Sequence, residues 1–488
     1  METGRIILKA LLTNLSPVGI GSGRDNHSDR DVVTTKYPID SNGAILPSEQ
    51  FNEKDKEIDL PFIPATSFMG SIQRHFNFKE VETYWGESEK NASFIDCSDI
   101  LITHLPQHVE KGISPTEIRD GIRLDSAKGT VAKGAKFDYE LLSPGAKFNL
   151  VIIFRIEPVK QDNETAKSNY NHAYTIASDI ARIIEKGFEL GSKSTVGYGK
   201  MKGETNLYLL DFGIAEQFNN WIKNDLFKNP VNKISNSFLL FDKVSFEINA
   251  TFKIKNSLII RSYSKDPKAP DSTHLKSGGK NILSGSSIKG ALSGRAERIL
   301  NTIQDDMDKT KIILAGLFGD IEKEDDNITV KPDGYTVASR VFVDEIPIEN
   351  VNEEIQTRIQ IDRFTGGTVD GALIEEVPLF PKKGEKQIKN FRIRVKDPQP
   401  IDKGLMLLLL KDLWTEDLPI GGEKSIGRGV LTGVDATITD GQETYHLIED
   451  FNVPAKVEKL QKYVTALNEL ADFELYETRV LNFKNKKR

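Results

Sequence analysis

The sequence states the same order of landmarks twice, and that repetition restricts the fold more than any other feature. An apolar opening segment leads into an acidic, Gly- or Pro-bearing loop from Ile6 to Asp31, and again from Phe246 to Asp271. A hydroxyl-rich turn then opens a helix, ATSFMGSIQRHF from Ala65 and GSSIKGALSGRAERIL from Gly285. Next comes IRLDSAKGTVAKGAKFDYELL from Ile122, matched by IQIDRFTGGTVDGALIEEVPLF from Ile359. A glycine loop closes each copy, LGSKSTVGYGKM from Leu190 and IGGEKSIGRGVL from Ile420. Gly70 and Gly290 lie 220 residues apart, Asp125 and Asp362 lie 237 apart, and Gly197 and Gly427 lie 230 apart. Ordered matches at nearly even spacing imply a tandem duplication. The join falls in NPVNKISNS, from Asn229 to Ser237, which gives halves of residues 1–232 and 238–488.

Each half reads as α+β. KALLTNL (Lys9 to Leu15) and ATFKIKNSLII (Ala250 to Ile260) have the β-branched content and alternation of opening strands. SFMGSIQRHFNF and SSIKGALSGRAERILNTI read as helices; in the second, Ser286 or Ser287 caps the start and Ile288, Leu292, Ala296 and Ile299 recur at helical spacing. FNLVIIFRI and QIKNFRIRV read as strands, NHAYTIASDIARIIEKGFEL and KGLMLLLLKDLW as the second helices, and a short strand follows each glycine loop. This is ferredoxin-like (βαββαβ) order, with an insertion after the first helix too long for a loop and expected to form its own hairpin.

Composition narrows the chemistry. The 488 residues contain one cysteine, Cys97, which excludes a disulfide framework and any multi-cysteine zinc site. With 38% hydrophobic and 28% charged residues, each half can bury a core of its own. No run approaches the ~18 apolar residues of a membrane span. METGRIILKALL lacks the marks of a signal peptide, so a soluble, cytoplasmic protein is expected. The net charge of −7 argues mildly against a nucleic-acid partner, although local charge decides such contacts.

Several residues invite a functional reading beside a plainer one. GSKST at Gly191 superficially resembles a P-loop, but Ser192 separates Gly191 from Lys193 and the loop follows a helix, so a nucleotide-binding P-loop is not expected. Lys193, Lys424 and Arg428 beside glycine-loop amides would suit a phosphodiester backbone; the plain alternative is a tight helix-to-strand turn. Ser286, Ser287 and Lys289 at a helix start would suit an anion, or merely cap the helix. In the first half Ser67 occupies the equivalent turn, Met69 replaces the lysine, and Arg74 is expected to supply the charge. Asp25, Asp29 and Asp31, with Asp266 and Asp271, are either solvated turn formers or carboxylates that hold a divalent ion or take a proton from a 2′-hydroxyl. His27 and His274 could form an acid/base pair of the metal-independent ribonuclease kind.

Taken together, GSS-x-KG after an acidic loop, LFGD (Leu317 to Asp320), ASRVFVDE (Ala338 to Glu345), IDR-x-TG (Ile361 to Gly366) and GG-x-x-x-x-G-x-G (Gly421 to Gly429) resemble the RAMP superfamily. They look like the repeating backbone (Cas7-type) subunits of type III CRISPR effectors. The first half carries weaker counterparts, YWGE (Tyr84 to Glu87), ASFIDCSD (Ala92 to Asp99) and IRLDSAKG (Ile122 to Gly129), so the chain resembles a fused double subunit.

The resemblance implies two RNA-recognition-like domains, each with a projecting thumb, here Ile118 to Leu142 and Arg358 to Phe380. It implies a guide RNA along the palms, a complementary target RNA, and Cas10-like, Cas5-like, Cas11-like and further Cas7-type subunits as partners. A loop aspartate in each half would promote cleavage of the target with a divalent metal, Mg²⁺. Asp31 and Asp271 fit that role best, with Asp29, Asp25 and Asp266 in reserve; no full set of metal ligands is identifiable. Ser67, Ser286, Ser287, Lys289, Lys424 and Arg428 would contact guide RNA, and Arg123 and Arg363 would do so from the thumb bases. A scaffold without cleavage and a Cas6-like guide-processing endoribonuclease relying on His27 are the alternatives.

Overall fold

The computed structural model describes residues 3–21, 32–39, 45, 56–86, 92–107, 109, 114–124, 131–157, 163–234, 236–239, 245–263, 268–304, 306–319, 337–448 and 457–484. The chain divides into two units, one made of Met1–Ser194 and Tyr198–Asp242, the other of Thr195–Gly197 and Lys243–Arg488.

In the first unit, β1 (Gly4–Asn14) begins three residues inside the chain. Helices α1 (Ala65–Gln73) and α2 (Phe78–Trp85) follow, then β2 (Ile95–Cys97) and the paired strands β3 (Thr116–Leu124) and β4 (Val131–Leu142). β5 (Lys147–Ile156), α3 (Asn163–Lys186) and β6 (Lys200–Asp211) complete the domain, and α4 (Ala215–Ile222) trails it. The central sheet is antiparallel in the order β6-β1-β5-β2. Ile6, Leu8, Ala10 and Leu12 alternate onto the face covered by the helices, where Ile176, Ile180 and Ile184 of α3 recur every fourth residue. Each such isoleucine or leucine contributes roughly 1.5–3 kcal/mol by leaving water.

The second unit repeats this plan. Its strands include β7 (Ser245–Ile254), β8 (Ser272–His274), β9 (Val341–Val343), β10 (Gln356–Arg358), β11 (Ile374–Val377), β12 (Ile388–Lys396), β13 (Leu431–Asp440) and β14 (Glu443–Ile448). Its helices are α5 (Gly285–Ile303), α6 (Met307–Phe318), α7 (Pro400–Trp414), α8 (Val457–Asn468) and α9 (Phe473–Lys484). The sheet order β14-β13-β7-β12-β9 contains the first unit's order intact. β10 pairs antiparallel with β11, which pairs parallel with β8.

The correspondence extends to single hydrogen bonds. Ser93 Oγ lies 3.3 Å from Tyr84 O and 3.0 Å from Ile95 O, and Ser339 Oγ lies 2.9 Å from Leu317 O and 3.1 Å from Val341 O. The glycine loops close on Leu190 N–Gly199 O at 2.7 Å and Ile420 N–Gly429 O at 2.9 Å. At Gly199 and Gly429, φ is +78° and +79°, and an added Cβ would meet Leu190 O at 1.9 Å and Ile420 O at 2.0 Å, so only glycine fits.

Three local expectations change. SFMGSIQRHFNF is not one helix: α1 stops at Gln73 and α2 starts at Phe78, with Phe76 bridged to Leu239 between them. The buried stripe of α5 runs Ile288, Leu292, Ala296, Leu300, while Ile299 packs at its edge. The second unit also carries α8 and α9, which the repeat did not foretell. α9 is tied down where Arg340 reaches Asp402 through Nη1 at 2.7 Å and Nη2 at 3.1 Å and Tyr476 Oη donates to Asp402 at 2.8 Å, and α8 where Tyr463 Oη donates to Asp440 at 2.5 Å. Among the described residues no helix is long and apolar enough to cross a membrane.

Candidate functional site

The start of α5 combines several donors. Ser284, not Ser286 or Ser287, is the N-cap: its Oγ accepts from Ser287 N at 3.3 Å, which lets Gly285 begin the helix. Ser286 and Ser287 stand in the first turn instead, the former exposed and the latter half-buried. Lys289 donates to Ser339 Oγ at 2.7 Å, and among the described residues no carboxylate pairs with it. Burial pushes its ammonium down to about 8. A helix start, two hydroxyls and a lysine without a counter-charge make an arrangement that an anion completes.

The equivalent turn of the first unit is built differently. Pro64 precedes α1 and offers no side-chain cap; Asp99 Oδ1 accepts from Ala65 N at 2.8 Å instead. The chain's own carboxylate thus serves the helix start beside Ser67. Arg74 does not join that turn. It is the exposed C-cap of α1, five residues or about 7.5 Å along the axis from Met69, so any charge it supplies comes from the far end of the helix.

The glycine loops hold their cations unequally. Lys424 is exposed on the short 3₁₀ turn Lys424–Ile426, and partial desolvation, then the like charge of Arg298, keeps it below the usual lysine range. Lys193 instead turns over the ring of Tyr139, 3.2 Å from its centroid, and lies 4.5 Å from that of Phe137. Arg428 is 3% exposed, which corrects its reading as a surface contact. Its Nε lies 2.7 Å from Glu423, and Nη2 donates to Gln356.

Arg428 belongs to a buried ionic cluster that local patterns did not reveal. Glu376, 1% exposed, accepts from Arg261 at 2.7 Å and from Arg358, which also donates to Glu423. Desolvation raises Glu423, but the hydrogen bond from Arg358 and the charges around it outweigh this and hold it below the usual carboxylate range. Comparing the halves position by position exposes the cluster: Glu376 replaces Tyr139 at the 237-residue offset, and Arg428 replaces Tyr198 at the 230-residue offset.

Arg363 and Arg123 do not sit at the hairpin bases. Arg363 lies exposed in the far turn, which Asp362 closes by accepting from Phe364 N at 2.8 Å and Thr365 N at 2.9 Å. Beside it Phe364 is 100% exposed. Arg123 stands near the outer end of β3, and its side chain lies outside the described residues.

Of the acidic candidates, Asp271 is described. It is exposed at the head of β8, and its Oδ2 accepts from Glu375 N of β11 at 2.8 Å, which ties it to the hairpin. Asp25, Asp29, Asp31 and Asp266 lie outside the described residues, as does His27. His274 does not face solvent as an acid/base group would. It is 2% exposed, its Nδ1 accepts from Ile260 N at 3.2 Å, and its Nε2 donates to Ile282 O at 2.9 Å. Burial holds it down at about 4, so it is a neutral core histidine. Among the described residues no group of three or more His, Cys, Asp or Glu could hold a metal ion.

A search among curated proteins found no match. The family model of the RAMP superfamily matches residues 11–202 and again residues 251–432. These two stretches span the opening strand through the glycine loop of each unit and cover well over half of the chain. The chain therefore belongs to the RAMP superfamily and carries its domain twice in tandem.

Proposed function

We propose that this chain is an RNA-binding backbone subunit of a type III CRISPR effector, a double Cas7-type protein that holds guide RNA and cleaves complementary target RNA. The observation that carries the reading is the start of α5, where Lys289 has no carboxylate partner among the described residues beside Ser286 and Ser287. Twofold membership of the RAMP superfamily supports RNA and other Cas subunits as partners, among them Cas10-like, Cas5-like and Cas11-like proteins. The strand order and the helices between strands support a ferredoxin-like reading of both units.

Guide phosphates lie along the α5 start and the Lys424 loop. The hairpins are the thumbs, and Phe364 at the second tip offers a bare ring to a base, a sequence-tolerant contact. A nucleotide displaced there has its 2′-oxygen free to line up with the neighbouring phosphate, which helical RNA disfavours; this is catalysis by positioning. Asp271 is the residue of the second unit that acts on it, and Asp31 holds that role in the first by resemblance. Among the described residues no carboxylate cluster encloses an ion, so Asp271 would serve Mg²⁺ as a single ligand from these, the rest coming from phosphate oxygens and water. When bound, the ion supplies positive charge to the scissile phosphate.

The buried, neutral His274 weighs against an acid/base pair of histidines; the guide-processing alternative relies on His27, which lies outside the described residues. The test is cleavage of a labelled target by the assembled complex, with Mg²⁺ and with EDTA, comparing wild type, Asp31→Ala, Asp271→Ala and the double variant. Each single variant is expected to erase one metal-dependent cut. Survival of every cut in the double variant would leave the chain a scaffold.

A further inference from the structure

We propose that Glu376 is a positioning residue that locks the strand bearing Asp271 to both the hairpin and the glycine loop, so that the three move as one body. The inference rests on the reading of Asp271 given above. Glu376 lies on β11, between β10 on one side and β8 on the other, and pairs in register with Gln356 and Ser272. Its Oε1 accepts from Ser272 Oγ at 3.2 Å and from Arg261 at 2.7 Å, while Oε2 accepts from Arg358. Ser272 is the neighbour of Asp271, and Glu375, the neighbour of Glu376, holds the Asp271 carboxylate through its backbone N–H.

The other side of the cluster reaches the glycine loop. Arg358 bridges Glu376 to Glu423, Arg261 lies 3.3 Å from Glu423, and Glu423 precedes Lys424. One buried carboxylate therefore touches the segment after the opening strand, the hairpin and the strand of Asp271, and reaches the guide-facing loop through one arginine. Removing its charge leaves the partly exposed Arg261 and Arg358 and the buried Arg428 sharing Glu423, and frees the first two to turn to water and away from the strand of Asp271. RNA seated at Lys424 is in this way felt at Asp271 through a rigid chain of ion pairs. Among the described residues the first unit shows no matching chain at these positions, which Tyr139 and Tyr198 occupy; the buried ion pair of its hairpin joins Arg119 to Glu117 within one strand.

The test uses the assembled complex carrying Glu376→Gln, Glu376→Asp or Asp271→Ala. It reads single-turnover cleavage at each cut, target affinity, and amide hydrogen exchange. Glu376→Gln is expected to slow the cut that depends on Asp271 about tenfold or more, with affinity within about twofold and the other cut unchanged. Exchange should rise over residues 271–277 and 421–428 but not in β7, and Glu376→Asp, which keeps the charge, should recover part of the rate. A wild-type rate with Glu376→Gln, or a rise in exchange spread evenly over the unit, overturns the proposal. If Asp271→Ala spares every cut, the reading of Asp271 fails by itself. The exchange pattern then decides: a local rise upholds the lock, and unchanged protection refutes it.

Discussion

Beneath the hairpin of the first unit, Tyr139 and Tyr198 bring their hydroxyls to 3.2 Å and Lys193 covers a ring. Beneath the hairpin of the second, the same positions hold Glu376, Arg428 and Glu423. The glycine loops beside them close through the same backbone hydrogen bond, so one loop plan accepts an aromatic or an ionic clasp. Their energetics differ. Two buried tyrosines gain from lost apolar surface and need only a weak mutual hydrogen bond. Buried ion pairs spend most of their attraction on desolvation, and their value lies in direction. The second clasp is built for orientation, the first for packing.

The sharpest way to break this comparison is to remove Arg428. Arg428→Met leaves two carboxylates facing two partly exposed arginines and should cost the second unit about 3–5 kcal/mol. Denaturant dependence of hydrogen exchange, read separately in each unit, checks this; a loss below about 1 kcal/mol would make the two clasps energetically alike.

Acid offers the next largest effect. His274, held at about 4 when folded, would titrate near 6.5 when unfolded, so the unfolded chain binds more protons between those values. Its contribution is intact above about 6.5 and fades by roughly 3 kcal/mol as pH falls to about 4. The same exchange measurement should show this slope in the second unit and its absence in His274→Gln. Among the described residues the first unit buries no histidine, so its stability should lack that component.

Lys289 and Met69 set up a smaller contrast. Below about 8 the free lysine already carries its proton. Above it, binding to phosphate requires proton uptake, and affinity for RNA should drop up to about tenfold per pH unit. Filter binding of guide RNA with Lys289→Met should lose that pH dependence and shrink the salt slope by about 0.7. Met69→Lys should add a similar increment in the first unit if Asp99 does not already fill that place. The smallest effect is expected from Tyr198→Phe, which removes one hydroxyl pair and should cost about 1 kcal/mol in the first unit's thermal stability.

Much of this was legible in the sequence because duplication makes two readings of one pattern check each other. The opening strands, the long helices and the glycine loops carry short-range periodicity or glycine at fixed spacing, and both copies agree. What escaped was long-range. Arg428 sits between glycines and reads as a surface cation, yet it is buried between Glu423 of its own loop and Gln356 of the hairpin strand β10, which only the tertiary fold brings over it. His274 lies beside an acidic loop and reads as a catalyst, while its alternation with Ser272 places it inward on β8. Three serines in four residues are chemically equivalent as caps, and only the structure shows that the helix begins at Gly285 and makes Ser284 the cap. The paired replacements of Tyr139 by Glu376 and of Tyr198 by Arg428 were the available signal, visible only when the halves are laid side by side.

One backbone detail carries the history of the two clasps. Lys193 and Glu423 occupy matching places in the glycine loops, and both hold φ at +57° although neither is glycine. A left-handed residue with a Cβ costs of order 1 kcal/mol, so chance adoption in both copies is improbable. Parsimony puts the twist in the single ancestral domain, before gene duplication, and the charge reversal after it. The position behaves as an inherited socket: both copies keep its wiring while the plug has changed sign, and sister domains could be rewired by exchanging this residue together with its partner on the hairpin and its partner in the glycine loop.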